Sequence, residues 1–248
     1  MTTSLFVTGA SSGIGEAFLQ QLPSDIPVAH TFSRRESAGS WTRTDLGRPD
    51  DWTIVNSQVE KVLDAERPDH AIFFHCSGTG DPIGKVVDLD PSDYALTVVL
   101  NAASGLALGQ AFLRACHQRS VRATLVLTSS PAAEKDVPGM AQYCAGKDGM
   151  QHWGTIVAME QAPQSGNRIF TVVPYAVLTD VVRSVMTRDP DEVPLVNYFR
   201  QVEAANEFAS PELCAEQIWS AIDTAANGAV LPVGAVWIAE RNAAAAAS

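Results

Sequence analysis

Three short segments hold residue types whose spacing could do chemistry. In Tyr143-Cys144-Ala145-Gly146-Lys147 a phenol and an ammonium stand four residues apart, on one face if the segment is helical. A tyrosine with a pKa near ~10 is a poor acid–base catalyst at neutral pH until a nearby cation stabilises its phenolate. Lysine is scarce, occurring only as Lys61, Lys85, Lys135 and Lys147; even so, the pair taken alone also fits an exposed helix surface. The run Thr8-Gly9-Ala10-Ser11-Ser12-Gly13-Ile14-Gly15 would let backbone approach a pyrophosphate seated on a helix N-terminus. By itself it fits a plain tight turn equally well. Ser33-Arg34-Arg35 places two guanidinium groups that can take a phosphate through charge-assisted bonds, or that simply stand in solvent.

The elements that must position these residues can be read from patterning. Leu5–Thr8 reads as a buried strand running into the glycine-rich turn and a helix to about Leu22. Val28–Phe32 is a second strand ending at the arginines, and Thr42–Thr44 a short third. Asp51–Glu66 reads as an amphipathic helix, His70–His75 as a buried strand. Asp90-Pro91 supplies an N-cap and a first-turn proline for a long apolar helix to about Arg119. Ala123–Thr128, a helix over Ala141–Ala162, and Arg168–Pro174 follow; a helix from Ser210-Pro211 to near Gly228 and a strand over Val233–Ile238 close the chain. Apolar, β-branched strands alternating with helices predict one α/β domain over residues 1–242, a doubly wound parallel sheet with helices on both faces. Residues 175–209 interrupt that rhythm and are expected to hold one or two short helices as a lid beside the site. Residues 243–248 are a low-complexity tail.

Composition narrows the function classes. The 248 residues carry 28 Asp plus Glu against 17 Lys plus Arg, a net charge of −11, and a sequence pI near 4.8. That argues against a nucleic-acid binder and against adhesion to anionic membranes. From Asp189 onward there are nine acids and two bases, so −7 of the −11 sits in the last quarter. An anionic ligand would therefore meet local positive charge and backbone N–H groups rather than a favourable overall field. Cys76, Cys116, Cys144 and Cys214 show neither a disulfide framework nor zinc spacing, and no metal site is expected. Reduced thiols and the absence of a leader-like pattern in MTTSLFVTGAS lead to a cytoplasmic expectation. Ala95–Leu113 is uncharged and contains Gly105-x-x-x-Gly109, but Asn101, Ser104 and Gln110 favour a buried or interface helix over a membrane span.

In this order, these segments resemble the short-chain dehydrogenase/reductase family over nearly the whole chain. The resemblance implies a Rossmann-type domain, NAD(H) or NADP(H), and a homodimer or homotetramer. Counting thirteen residues back from Tyr143 gives Ser130, the family's carbonyl-binding serine, and Asn101 matches its helix asparagine. The implied cofactor contacts are Gly9, Ser11, Ser12, Gly13 and Ile14 in the first turn, and Ser33, Arg34 and Arg35 toward a 2′-phosphate. Asp45 and Leu46 would lie at the adenine, Ser77 and Gly78 along the dinucleotide, and Pro174, Val177 and Thr179 around the nicotinamide and pyrophosphate. Arginines where NAD-binding members carry an acid imply NADP(H). By the same resemblance, Tyr143 gives its proton to a carbonyl oxygen held by Ser130. Lys147 lowers the tyrosine pKa and holds the nicotinamide ribose. Asn101 anchors a water linking Lys147 to solvent.

Some positions depart from the family pattern. Asn-Asn-Ala-Gly after the fourth strand is His75-Cys76-Ser77-Gly78, with His75 read as a structural strand-end residue. Pro-Gly after the sixth strand is Pro174-Tyr175, so Tyr175 either lines the substrate pocket or packs. The serine before the active lysine is Gly146, read as a neutral change. Ser33-Arg34-Arg35-Glu36, Tyr143-Cys144 and the segment VLTDVVRSVMTRDPDEVPLVNYFRQ are most similar to the sepiapterin reductase and benzil reductase branch. That branch implies reduction of a small apolar ketone or 1,2-diketone at Ser130, Tyr143 and Tyr175. A secondary-alcohol dehydrogenase or 3-oxoacyl reductase with the same residues, and a non-catalytic NADP sensor, remain as alternatives. The acidic chain disfavours an acidic carrier protein as partner; the intact serine, tyrosine and lysine disfavour the sensor.

Overall fold

Residues 2–161 and 166–234 are described by a computed structural model. Seven parallel strands form one sheet in the order β3-β2-β1-β4-β5-β6-β7. They are β1 (Thr3–Thr8), β2 (Ala29–Ser33), β3 (Ser40–Arg43), β4 (His70–His75), β5 (Arg122–Thr128), β6 (Arg168–Pro174) and β7 (Val230–Val233). Strand direction of build-up reverses between β1 and β4, which pair from Thr3↔His70 to Thr8↔His75. A crevice opens outside the carboxyl ends of the strands at such a switch point. This is the doubly wound α/β sheet expected from the alternation of apolar runs and helices.

Side chains alternate across the sheet with period two. Leu5, Val7, Ile72, Phe74 and Val126 face α1 (Gly13–Gln20) and α8 (Pro211–Thr224). There Phe18 stacks on Trp219 with centroids 4.0 Å apart. On the other face Phe6, Ala71, Phe73, Leu125 and Leu127 meet α2 (Pro49–Glu66), α4 (Ser104–Gln118) and α5 (Ala141–Glu160). Phe112 from α4 sits 5.3 Å from Phe73 and 6.2 Å from Phe6, centroid to centroid. Each such ring removed from water contributes roughly 1.5–3 kcal/mol, and two such layers fix the sheet that carries the turns.

The predicted long apolar helix is broken. It begins as α3 (Pro91–Val98), capped by the Asp90 carboxylate accepting from the N–H groups of Ser92 and Asp93. It then widens into a π-helical stretch over Val99–Ala103 before α4 resumes the regular spacing. Periodicity of apolar residues does not register one extra residue in a turn, so the interruption was invisible in sequence. Pro91–Gln118 is long and apolar enough to cross a membrane, yet Leu108, Phe112 and Ala115 are packed into the core. Gly105-x-x-x-Gly109 is the packing seam with α5. A β-carbon on Gly105 would meet the Met150 sulfur, and one on Gly109 would lie 2.8 Å from the Trp153 ring.

Two strands are shifted from their expected positions. The third covers Ser40–Arg43, leaving Thr44 beyond its end. The last starts at Val230, because Gly228 turns with φ +83° and Val230 then pairs with Thr171. The expected strand residues 235–238, the last residue of the expected Ala141–Ala162 helix and the 243–248 tail lie outside the described residues. Between β6 and α8 the chain forms α6 (Asp180–Met186) and α7 (Leu195–Ala204). Val182, Val185, Val196 and Phe199 from these helices pack on Ile83, Met140 and Tyr143.

Candidate active site

A cleft of about 720 Å3 runs along the carboxyl ends of the strands. Its walls bring together Gly9, Ser11, Ser12, Gly13, Ile14, Ser33, Arg34, Arg35, Asp45 and Leu46 with Ser77, Gly78, Ser130, Tyr143, Lys147, Pro174, Tyr175, Val177 and Thr179. Of the site residues read from sequence, Asn101 stands apart, 1% exposed behind the wall.

The glycine-rich turn leaves room for a ligand. Gly13 adopts φ +56°, and a β-carbon there would come within 3.4 Å of Thr179, closing the gap between the two walls. The Ser12 side chain makes no capping hydrogen bond at the N-terminus of α1, so first-turn N–H groups remain for an anion. Arg34 and Arg35 follow β2. Arg35 reaches across to Asp180 at 3.6 Å, an exposed pair of the kind that contributes little and yields readily to competition. The Thr44 hydroxyl, buried in the wall beside Asp45 and Leu46, has no hydrogen-bond partner. These features fit a dinucleotide cofactor.

At the other end, Ser130 ends the β5 turn and caps a short 3-10 turn, its hydroxyl accepting from the Ala132 N–H at 3.2 Å. Tyr143 lies in the first turn of α5, 9% exposed, with Lys147 one turn on and 3% exposed. The Lys147 ammonium donates to the Thr128 carbonyl at 2.8 Å and sits 5.8 Å from the Tyr143 ring centroid. The β4 turn also approaches it: a β-carbon on Gly78 would lie 3.2 Å from both Lys147 Nζ and Asn101 Oδ1.

Burial governs the charge states of this group. It raises the phenol above its ordinary value, a hydrogen bond with Ser130 partly opposing it. Burial also depresses Lys147 to about 8, since both side chains have left water. The Asn101 amide joins the β4 turn, accepting from the Thr79 N–H at 3.0 Å and donating to the Thr79 carbonyl at 2.7 Å. One expectation is corrected here: Gly146 is not neutral. A β-carbon there would lie 3.0 Å from that of Asn101, so the missing side chain lets α5 close on the π-helical stretch.

The far end of the cleft is apolar and aromatic. Val137, Met140, Tyr175, Val181, Val185, Leu195, Tyr198 and Phe199 line it, resolving Tyr175 as a wall residue. Leu195, Tyr198 and Phe199 were missed as site residues, although their i, i+3, i+4 spacing marks one helix face. Asp81 at the rim holds α6, accepting from the Ser184 hydroxyl at 2.7 Å and from Arg188 Nη2 at 2.6 Å. Cys76 lines the cleft as well, its thiol pushed up to about 11 by burial. No cluster of His, Cys, Asp or Glu able to hold a metal occurs among the described residues.

A sheet with this order, a glycine-rich first turn and a convergent serine, tyrosine and lysine define a dinucleotide-binding oxidoreductase class. Residues 3–190 match the short chain dehydrogenase family model, and the chain belongs to that family of oxidoreductases. It is 21% identical over 233 residues to a benzil reductase ((S)-benzoin forming) of Bacillus cereus, covering 89% of this chain and 94% of the relative. A benzil reductase of the same description from Bacillus subtilis (strain 168) is 21% identical over 226 residues, covering 88% and 92%. Among solved structures, a short chain dehydrogenase/reductase from Saccharomyces cerevisiae superposes with a TM-score of 0.77 at 17% identity, over 93% of this chain and 95% of that one. A 4-hydroxyisoleucine dehydrogenase complexed with NADH superposes with a TM-score of 0.75 at 17% identity, over 95% and 99%.

Proposed function

We propose that the protein is an NADPH-dependent carbonyl reductase whose substrates are small apolar ketones, vicinal diketones above all. The observation carrying this reading is one continuous cleft with an arginine-flanked end, Ser130 beside buried Tyr143 and Lys147, and an aromatic far end. The relatives are described as benzil reductases forming (S)-benzoin, and Tyr175, Tyr198 and Phe199 suit flat apolar substituents.

When bound, the reduced nicotinamide supplies the hydride; the remaining work belongs to the chain. Arg34 and Arg35 hold the 2′-phosphate, Arg35 exchanging Asp180 for it. The first turn of α1 receives the pyrophosphate. Ser130 donates a hydrogen bond to the substrate oxygen as negative charge develops there. Tyr143 transfers its proton to that oxygen. The raised pKa of the phenol keeps it in the acid form that reduction consumes, and the Lys147 ammonium then compensates the phenolate left behind. Lys147 would also hold a ribose hydroxyl of the nicotinamide nucleotide.

The chain is further proposed to be cytoplasmic and to assemble as a homodimer or homotetramer; exposed Leu96 and Val98 on α3 and Ile156 and Met159 on α5 would suit such contacts. Mixing purified protein with NADPH and a panel of ketones, 3-oxoacyl thioesters and vicinal diketones tests the reading. Diketone-dependent oxidation of NADPH is expected to exceed that with the thioesters. NADPH binding without turnover of any member would refute it.

A further inference from the structure

We infer that His75, which stands where the family carries asparagine, is a positioning residue for the active site, acting through the β4 turn on the wall opposite Lys147. This inference rests on the dinucleotide-dependent reading above, but not on the identity of the carbonyl substrate.

The donors and acceptors around the imidazole leave only one arrangement. The Thr8 hydroxyl accepts the N–H groups of Cys76 at 3.2 Å and Ser77 at 3.3 Å. Both its lone pairs are then used, and its one proton is directed to His75 Nδ1 at 3.1 Å. On the far side, the Ser104 hydroxyl donates to the Leu100 carbonyl at 2.6 Å, leaving its oxygen to accept from His75 Nε2 at 3.3 Å. The ring is therefore the neutral Nε2–H tautomer. A second proton on Nδ1 would aim a third N–H at Thr8. Burial, with Lys147 adding to it, also drives the imidazole pKa down to about 3.

This chain of bonds ties together three backbone stretches that meet at the cleft. Thr8 precedes the glycine-rich turn, Cys76–Gly78 form the wall, and Leu100 lies in the π-helical stretch that holds Asn101. Asn101 grips the next residue of the same turn, Thr79, through both its amide groups. The β4 turn is thus pinned by Thr8 and His75 at one end and by Asn101 at the other, and Gly78 lies between, against the Lys147 ammonium. Asparagine at position 75 could take the Thr8 proton, but it is too short to reach Ser104 as well. The imidazole spans from Thr8 on β1 to Ser104 at the start of α4 as one rigid unit. Loss of that span lets the turn shift relative to Lys147, and displacements of about 1 Å near a reacting centre cost roughly a hundredfold in rate.

The test combines His75→Gln, His75→Leu and Ser104→Ala with three readouts: amide hydrogen exchange at Cys76, Ser77 and Thr79, NADPH affinity by titration, and kcat on whichever carbonyl the wild type reduces. Nitrogen NMR of the wild-type imidazole should give an unprotonated Nδ1 and a protonated Nε2. His75→Leu and Ser104→Ala should exchange those amides faster and lose about tenfold or more in kcat or NADPH affinity, with His75→Gln recovering most of both. If His75→Leu does not fold, Ser104→Ala and His75→Gln still carry the comparison. A protonated Nδ1, or variants that lose thermal stability while affinity, kcat and exchange at the β4 turn match the wild type, would overturn the inference. Wild-type protein that binds NADPH but turns over no carbonyl would refute the reductase reading alone, since exchange and affinity still decide the role of His75.

Discussion

Replacing Lys147 with methionine should destroy activity and yet lighten a burden on the cofactor-free fold. The ammonium is buried, and burial depresses its pKa from 10.5 to about 8. Below about pH 8 the folded protein carries the charge at a cost. That cost fades as pH rises from about 8 to about 10.5, where the folded state has released the proton and the unfolded chain still binds it. At ~1.4 kcal/mol per pKa unit the full penalty is on the order of 3 kcal/mol. Methionine fills a similar volume without charge. Against that gain, the Thr128 carbonyl loses the donor it holds at 2.8 Å, a loss of about 1–3 kcal/mol for an unpaired buried acceptor. At pH 7 the variant should therefore be more stable than the wild type by about 0 to 2 kcal/mol, at most roughly 4–8 °C in Tm. The pH slope does not depend on the carbonyl. Urea titration of both proteins without cofactor, from pH about 7 to about 10.5, should show the variant's relative stability falling by about 3 kcal/mol. A stability difference that stays constant over that range would refute the argument that burial of a charged lysine is stored in the site.

Two further perturbations address the ends of the cleft. Arg34→Ala and Arg35→Ala each remove a charge-assisted bond worth about 1.5–3 kcal/mol, so the NADPH dissociation constant should rise about tenfold or more in each, with NADH changed little. Equal losses for both cofactors in a binding titration would remove the phosphate role. Asp81→Asn should loosen α6 from the rim by breaking the 2.6 Å contact to Arg188. Amide exchange across Asp180–Met186 should accelerate and the KM for ketone rise several-fold. Global stability should drop by less than about 1 kcal/mol, because both partners are partly exposed.

The sheet and its order of elements were legible because buried parallel strands leave unbroken apolar runs: His70–His75 and Arg168–Pro174 were read with their observed bounds. The cleft was legible because its parts are local in sequence: a glycine-rich turn, an arginine pair, and a tyrosine and lysine on one helix face. What escaped depends on long-range contact or on a single backbone step. The π-helical stretch hides inside a smooth apolar pattern. The close approach of Gly146 to Asn101, 45 residues away in sequence, cannot be read from either residue alone. The upward pull of burial on Tyr143 is likewise a property of the packed site rather than of the spacing. His75 looked like a strand end because its two partners, Thr8 and Ser104, lie on β1 and α4.

The central claim is that Tyr143 protonates the carbonyl oxygen in an intact NADPH site. Its most direct test is NADPH oxidation by the wild type and by Tyr143→Phe with a diaryl vicinal diketone, alongside NADPH affinity of both proteins. The account predicts turnover by the wild type, a loss of at least about a hundredfold in the variant, and dissociation constants for NADPH within about threefold of each other, since removing one hydroxyl leaves the rest of the cofactor wall in place. Turnover by Tyr143→Phe at the wild-type rate would contradict it.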